Sequence, residues 1–456
     1  MKEYDLIVIG GGPAGYLAAE RAGGAGLNTL LIEKRFIGGV CLNEGCVPSK
    51  ALLYSAKLYD GAAHGEKYGI TVENIKLDHA KVIARKRKVV DTLVGGIKMG
   101  LKANKVTVVD GNAHIEKRTG AEFRVSVGDT VYEGARLLIA CGSEASVPPI
   151  PGLKENLASG FVMTNREILD IEAVPERLVV IGGGVIGLEM ASYFCSAGSK
   201  VTVIEMMNKI AGPTDAEISK ILQKNYEKKG VTFLLGAKVT SVTDKGVNYE
   251  LNGKTETVEA DKVLLSIGRR PATHGLGLEN IGVEMNRGAI LTDEQCRTNV
   301  AGVFATGDCN GKMMLAHVAY RESEVAVNTM LGKKDRMRYT AVPSVIYTNP
   351  EVAFVGLTEE AAKAAGMDVA CISLTMKYSG RYVAENEGGD GICKLVIDKK
   401  NNRLVGVHMI GNYSSEIIVS AVAMLETEMR IEDIKELIFP HPTVCEIIRE
   451  GIFQYK

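Results

Sequence analysis

Apolar runs punctuated by glycine recur along the chain with the spacing of alternating strands and helices. Leu6-Ile7-Val8-Ile9 leads into Gly10-Gly11-Gly12-Pro13-Ala14-Gly15, an alanine-rich stretch follows, and the apolar run Leu30-Leu31-Ile32 ends at Glu33. Short continuous apolar runs bounded by glycine predict strands buried on both faces, and the stretch between them predicts a helix. The pattern returns at Leu178-Val179-Val180-Ile181 and Gly182-Gly183-Gly184-Val185-Ile186-Gly187. Its register holds without a gap: Gly26 matches Gly198, Ile32 matches Ile204 and Glu33 matches Glu205. Two such βαβ units predict an α/β chain with two doubly wound, Rossmann-like domains.

Between the copies, residues 49–101 predict a helical stretch, and Val147-Pro148-Pro149-Ile150-Pro151-Gly152 predicts a domain crossing. Residues 263–268 and 303–308 read as buried strands. From about Arg338 the texture changes: 392–398 and 403–409 predict a hairpin, with helices near 414–428 and 431–437. The expected division is therefore 1–145, 146–265, 266–337 and 338–456. The last of these is an α+β domain without a nucleotide signature.

Composition narrows the function mainly by exclusion. A formal net charge of -1 over 456 residues gives no reason to expect nucleic acid or an anionic membrane as partner. No apolar run approaches the roughly 20 residues needed to span a bilayer. The opening Met1-Lys2-Glu3-Tyr4-Asp5 lacks the pattern of a secretory signal, and the nine cysteines are scattered. A cytoplasmic protein with mostly free thiols is expected. There, a closely spaced pair is more often catalytic or metal-binding than a structural bridge.

Each GxGxxG has a physical job. The first glycine (Gly10, Gly182) permits the tight turn, and the second (Gly12, Gly184) lets the backbone approach a pyrophosphate. The third (Gly15, Gly187) lets helix pack on strand, while the helix N-terminus offers donors. Glu33 and Glu205 each end the second strand, where a carboxylate can bind ribose hydroxyls. Glu205 would repel a 2′-phosphate, and Lys209 is the nearest following cation, so the second site is expected to take NAD.

Cys41-Leu42-Asn43-Glu44-Gly45-Cys46-Val47-Pro48-Ser49-Lys50 follows the first nucleotide unit. Its CxxxxC is wider than a CxxC redox motif and lacks the second pair of a zinc ribbon, so no metal is expected. On an ideal helix this spacing is too wide for a relaxed disulfide. Gly38, Gly39 and Gly45 are placed to allow a distorted turn. Lys50 sets a positive charge one turn beyond Cys46.

These segments carry a family likeness. Gly38-Gly39-Val40-Cys41 through Lys50, Thr306-Gly307-Asp308, Met314-Leu315-Ala316-His317 and His441-Pro442-Thr443-Val444-Cys445-Glu446 resemble, end to end, the pyridine nucleotide–disulfide oxidoreductases. Within that family the chain is most similar to the branch that oxidises dihydrolipoyl groups. The resemblance implies FAD in the first nucleotide domain (one per subunit), NAD in the second, and a homodimer formed through the C-terminal domain. It implies that Asp308 binds the FAD ribityl chain, that Ala316 presents a helix N-terminus to the flavin, and that Ala113 contacts adenine. Glu189 matches the acid that the family pairs with the lysine here numbered 50, and Gly268 is a further nucleotide-site candidate. Cys46 is implied to face the flavin and Cys41 to exchange with substrate.

Dithiol oxidation needs a base, because the thiolate is the nucleophile and free thiols titrate near pH 8.5. The resemblance assigns this to His441 oriented by Glu446, contributed by the other subunit. His64, His79 and His408 read as ordinary, and the remaining cysteines as small buried hydrophobes or idle thiols. The implied partner is a separate lipoylated carrier protein, of a 2-oxo acid dehydrogenase core or the glycine-cleavage system.

The rivals are reductases acting on glutathione, coenzyme A or thioredoxin-like disulfides, and a flavin-binding structural subunit with idle cysteines. Vicinal C-terminal cysteines of the mercuric type are absent. Val40, Glu44 and Phe439 depart from the usual pattern, and Glu44 would raise a thiol pKa if it faced inward unpaired.

Overall fold

The structure, a computed structural model, describes residues 2–118 and 120–456. The chain gathers into two compact units. One holds the N-terminal segment to Ala51, Lys81–Ser146 and Gly268–Arg338; the other holds Leu52–Ala80, Val147–Ile267 and Tyr339–Lys456.

In the first unit, five parallel strands lie in the order Val303–Ala305, Leu137–Ile139, Leu6–Ile9, Thr29–Glu33 and Thr107–Asp110. Leu6, Ile7 and Val8 are wholly buried, as the continuous apolar run predicts for a parallel strand covered on both faces. Chain order reverses at Leu6–Ile9: the next strands extend to one side, and Leu137–Ile139 returns on the other. Ligands of open α/β sheets bind beyond the carboxyl ends of the strands at such a switch point. A second, four-stranded sheet carries Ala113–Ile115.

The second unit repeats the plan. Parallel strands run Val162–Met163, Lys262–Leu265, Arg177–Ile181, Lys200–Glu205 and Thr232–Leu235, with chain order reversing at Arg177–Ile181. An antiparallel three-stranded meander, Lys238–Val242 to Lys254–Glu259, follows. The C-terminal part is a five-stranded antiparallel sheet, ordered Pro343–Ile346, Val352–Gly356, Arg403–Ile410, Ile392–Asp398 and Val369–Thr375. Helices Ser414–Glu426 and Glu446–Gln454 pack on it through Ile418, Ala421, Ile447 and Ile448.

Some elements end earlier than their apolar pattern does. The strand expected at 263–268 is Lys262–Leu265. Beyond it the Ser266 hydroxyl turns back to the carbonyls of Ile181 and Gly182, and Gly268 adopts φ +128. The strand expected at 303–308 stops at Ala305, because Gly307 at φ +76 opens the 3-10 turn Gly307–Asn310. The helical stretch at 49–101 is two helices, Cys46–Ala63 and His79–Ala103, parted by the turn Gly65–Tyr68 and a left-handed Gly69. The helix expected at 414–428 ends at Glu426, before Glu428 turns left-handed, and the next is only Ile431–Lys435. Among the described residues no helix is long and apolar enough to cross a membrane, and no cluster of three or more His, Cys, Asp or Glu could hold a metal.

Candidate active site

The first glycine loop follows Ile9. Gly10 turns at φ +106, and a side chain on Gly15 would begin 1.7 Å from the Gly10 carbonyl, so only glycine lets the helix Pro13–Gly24 start this close to the strand. At Gly12 a Cβ would meet nothing nearer than 3.7 Å. Gly12 also caps the helix without any side-chain hydrogen bond, which leaves its first-turn amides available to an anion.

Glu33 closes the loop from below. Its Oε2 accepts the Gly11 amide at 2.6 Å and its Oε1 accepts the Arg35 amide at 2.7 Å. The second copy reproduces this. Gly182 has φ +105, and a Cβ on Gly187 would sit 2.2 Å from the Gly182 carbonyl. Gly184 is open, and Glu205 accepts the amides of Gly183 and Met207, both at 2.7 Å. Lys209 is turned away from this carboxylate, its amine donating to the Thr214 carbonyl at 2.5 Å.

The cysteine segment is fastened to the first loop through its backbone. The Gly38 amide donates to the Gly11 carbonyl at 2.8 Å. Gly39, at φ +57, comes so close that a Cβ there would lie 2.5 Å from the Gly12 Cα. Cys41 sits in the short helix Gly39–Glu44. Gly45 (φ -152, ψ -109) interrupts it, and Cys46 begins the helix Cys46–Ala63. The break fulfils the distortion expected from the spacing and brings the two side chains together as a hydrogen-bonded pair of thiols, Cys41 half-buried and Cys46 exposed.

That hydrogen bond to Cys46, aided by burial, pushes the Cys41 thiol well above its ordinary pKa, while Lys50 draws it down. Cys41 is thus the proton-holding member. Cys46 lies where a thiolate is best supported, at a helix N-terminus with Lys50 one turn on. Glu44 does face inward, but it is paired with Arg35 at 2.7 Å, so its charge does not bear unpaired on the thiols.

Asp308 lies half-buried in the turn after Ala305 and accepts the Ser143 hydroxyl, and Ser143 in turn accepts Arg269 Nε at 2.7 Å. Behind them the fully buried Glu322 accepts the Gly307 amide at 2.6 Å and the Asn310 side chain at 2.9 Å, fixing the turn that carries Asp308. Ala316 is the first residue of the helix Ala316–Met330, whose N-cap Leu315 gives no side-chain cap.

Ala113 is buried in its strand. Glu189 is buried on the helix Val185–Ser196 and accepts the Tyr347 amide at 3.1 Å. The sequence reading missed Ser143, Arg269 and Glu322, and also Tyr16 and Tyr320, whose hydroxyls lie 2.5 Å apart. Burial first, and then their mutual hydrogen bond, raise the Tyr16 pKa, with the neighbouring Cys41 adding to the shift.

His441 is exposed, and its Nδ1 stands 2.9 Å from Glu446 Oε1. The other Glu446 oxygen accepts the Thr443 amide at 2.8 Å. Burial works to raise the Glu446 pKa, but the Thr443 amide and the His441 ring outweigh it and hold the carboxyl below its ordinary range. With a carboxylate accepting at Nδ1, the neutral ring carries its proton there, and Nε2 is the basic atom.

The pyridine nucleotide-disulphide oxidoreductase model matches residues 4–323, and the dimerisation-domain model of the same family matches 342–452. The chain belongs to this family. A member of the family is a flavoprotein oxidoreductase that works with FAD, a pyridine nucleotide and a redox cysteine pair, and this one also carries the family's dimerisation domain. It is 37% identical to the dihydrolipoyl dehydrogenase of Mycoplasma genitalium, over 99% of both chains. It is 39% identical to that of Geobacillus stearothermophilus, over 98% of this chain and 95% of the relative. The same identity holds for the mitochondrial dihydrolipoyl dehydrogenase of Pisum sativum, over 98% and 91%. Among solved structures, LpdA from Mycobacterium tuberculosis matches with a TM-score of 0.89 at 25% identity, and both chains are covered in full. The HOCl-induced flavoprotein disulfide reductase RclA from Escherichia coli, as its Cu(II) complex, matches at 0.88 and 27%, also in full.

Proposed function

We propose that this oxidoreductase oxidises the dithiol of a dihydrolipoyl group borne on a separate carrier protein and reduces NAD, working as a homodimer with one FAD per subunit. The observation that carries the reading is the His441–Glu446 dyad, a carboxylate-oriented imidazole of the kind that takes the proton from a substrate thiol.

The residues fit FAD in the first unit: an open Gly12 cradle, uncapped amides at Pro13–Gly24 and Ala316–Met330, and the Asp308 carboxylate at the switch point. Bound FAD would accept the electron pair held by the cysteines and hand a hydride to NAD. The protein's own part begins with the Cys41–Cys46 disulfide. His441 Nε2, supplied by the second subunit, takes a proton from one substrate thiol. The resulting thiolate attacks Cys41 Sγ, the Cys41–Cys46 bond breaks, and Cys46 leaves as a thiolate stabilised by its helix N-terminus and by Lys50. The second substrate thiol attacks the sulfur bonded to Cys41, closing the substrate disulfide and releasing Cys41 reduced.

At the second site, Glu205 supports NAD over NADP because a carboxylate stands where a 2′-phosphate would fall, and Lys209 is held elsewhere. The test is anaerobic stopped-flow absorbance with dihydrolipoamide followed by NAD. A long-wavelength thiolate band that rises with dihydrolipoamide and discharges as NADH forms supports the reading. If dihydrolipoamide leaves the flavin spectrum unchanged while NADH bleaches it, the substrate is a different disulfide.

A further inference from the structure

The register that matches Glu33 with Glu205 also sets Lys34 against Met206 and Arg35 against Met207. The two turns share one scaffold: Glu33 Oε1 accepts the Arg35 amide and Glu205 Oε1 accepts the Met207 amide, each at 2.7 Å. What they carry differs. In the first copy Arg35 reaches Glu44. In the second, two thioethers stand instead, Met206 66% and Met207 62% exposed. Their main chain is fixed, since the Gly236 amide donates to the Met207 carbonyl and the Ala237 amide to that of Glu205, both at 3.1 Å. Val185 and Ile267, just beyond the strands Arg177–Ile181 and Lys262–Leu265, are exposed as well. An exposed apolar rim beyond the carboxyl ends of parallel strands marks a ligand crevice.

We infer that Met206 and Met207 form the wall on which the second-site nucleotide rests its adenine, and that hydroperoxides switch this wall by turning its thioethers into sulfoxides. The inference rests on the reading of the Gly182–Glu205 turn as an NAD site. The acid in this position holds the ribose that carries adenine, so the base lies against the residues that follow the acid. A thioether suits that contact, being flexible, polarisable and attracted to aromatic rings. In the modifying step a sulfur lone pair attacks the O–O bond of hydrogen peroxide. An S–O bond forms, the O–O bond breaks, and the departing hydroxide takes the proton left on the transferred oxygen. One thioether and one peroxide give one sulfoxide and one water, the sulfur oxidised and the peroxide reduced.

Sulfoxidation replaces a flexible apolar side chain by a polar, chiral one, and the wall loses its hold on the base. The Glu205 turn keeps its own hydrogen bonds, because they run through backbone amides and the carboxylate. The modification therefore weakens the nucleotide without unfolding its site. Bound nucleotide covers the two sulfurs, so the free enzyme is modified and the loaded enzyme is spared.

The experiment treats the holoenzyme, with Cys41 and Cys46 as the disulfide, with hydrogen peroxide in the presence or absence of saturating NAD, and maps peptides for added oxygen. Sulfoxide is expected at Met206 and Met207. NAD should slow it there several-fold and leave Met99, 70% exposed in the first unit, unprotected. With ferricyanide as electron acceptor, KM for NADH should rise about fivefold or more while kcat is kept, and a methionine sulfoxide reductase should reverse the change. Met207→Gln, polar and without sulfur, should raise KM before any peroxide is added. In Met206→Leu/Met207→Leu the KM, whatever its starting value, should not respond to peroxide. If both sulfoxides form and KM for NADH does not move, or if the double leucine variant responds as the wild type does, the switch is overturned and the NAD reading stands. If NADH fails to reduce the flavin of the untreated enzyme, the reading of the second site falls, and the switch falls with it.

Discussion

His441 Nδ1 and Glu446 Oε1 stand 2.9 Å apart, and Glu446 is the first residue of the helix Glu446–Gln454. The carboxylate is held at a helix N-terminus and by the Thr443 amide, so the imidazole is aimed by a group that cannot drift. Glu446→Gln should slow oxidation of dihydrolipoamide by about ten- to a hundredfold, because the ring loses its orienting charge. Reduction of the same variant by NADH, which needs no thiol base, should keep the wild-type rate in stopped-flow. A folded-state Glu446 pKa below the ordinary 4.5 means that the dyad's stabilisation is present above that value and is lost as pH falls beneath it.

Gly39→Ala tests how the redox segment is mounted. The added methyl would begin 2.5 Å from the Gly12 Cα, at a φ of +57 that side chains rarely adopt. Thermal unfolding should show a loss of about 2–3 kcal/mol. The purified protein should also carry less flavin, since the cysteine segment and the nucleotide turn share this contact.

Glu322→Ala leaves the Gly307 amide and the Asn310 side chain without their buried acceptor. That should cost about 2–4 kcal/mol and release the turn bearing Asp308. Glu322→Gln, which keeps an acceptor, should recover part of the stability and of the flavin content, measured as the ratio of flavin to protein absorbance.

These expectations show which parts of the molecule can be read along the chain. The glycine turns, their terminal acids, the cysteine pair and the His441–Glu446 dyad are local: each is complete within a few dozen residues, and the hydrophobic pattern places it at the end of a strand or the start of a helix. Ser143 with Arg269 and Tyr16 with Tyr320 are brought together by strand register and helix packing, and no local pattern marks them. Strand ends at Leu265 and Ala305 were overrun by the apolar pattern because Ser266 and Gly307 change the backbone direction without changing the polarity trend.

A buried charge cluster in the second unit gives a stability test away from the chemistry. Lys394 lies 3.0 Å from the wholly buried Asp215 and 2.9 Å from Glu359, although its approach to Asp215 Oδ2 lacks hydrogen-bond alignment. Lys394→Met strands the Asp215 carboxylate and should cost about 3–5 kcal/mol in denaturant titration. Hydrogen bonds from Lys363 and then Lys394 hold the Glu359 pKa at about 2. Its contribution is thus present above the ordinary 4.5 and fades as pH drops toward 2. The wild type should lose stability over that window more steeply than Lys394→Met.

Initial rates with NADH and NADPH test the second site. The Glu205 carboxylate should lower kcat/KM for the phosphorylated cofactor by at least about tenfold, and the gap should narrow as ionic strength rises.

The acids at the ends of the two βαβ units have a consequence beyond selectivity. Glu33 and Glu205 each spend both oxygens on backbone amides of their own turn before any nucleotide arrives. A lineage that sought a new cofactor by exchanging either acid would first lose the support of the loop that binds every dinucleotide. Cofactor preference in this chain is therefore tied to foldability, and retargeting it calls for a cation brought in from a neighbouring position while the carboxylate stays.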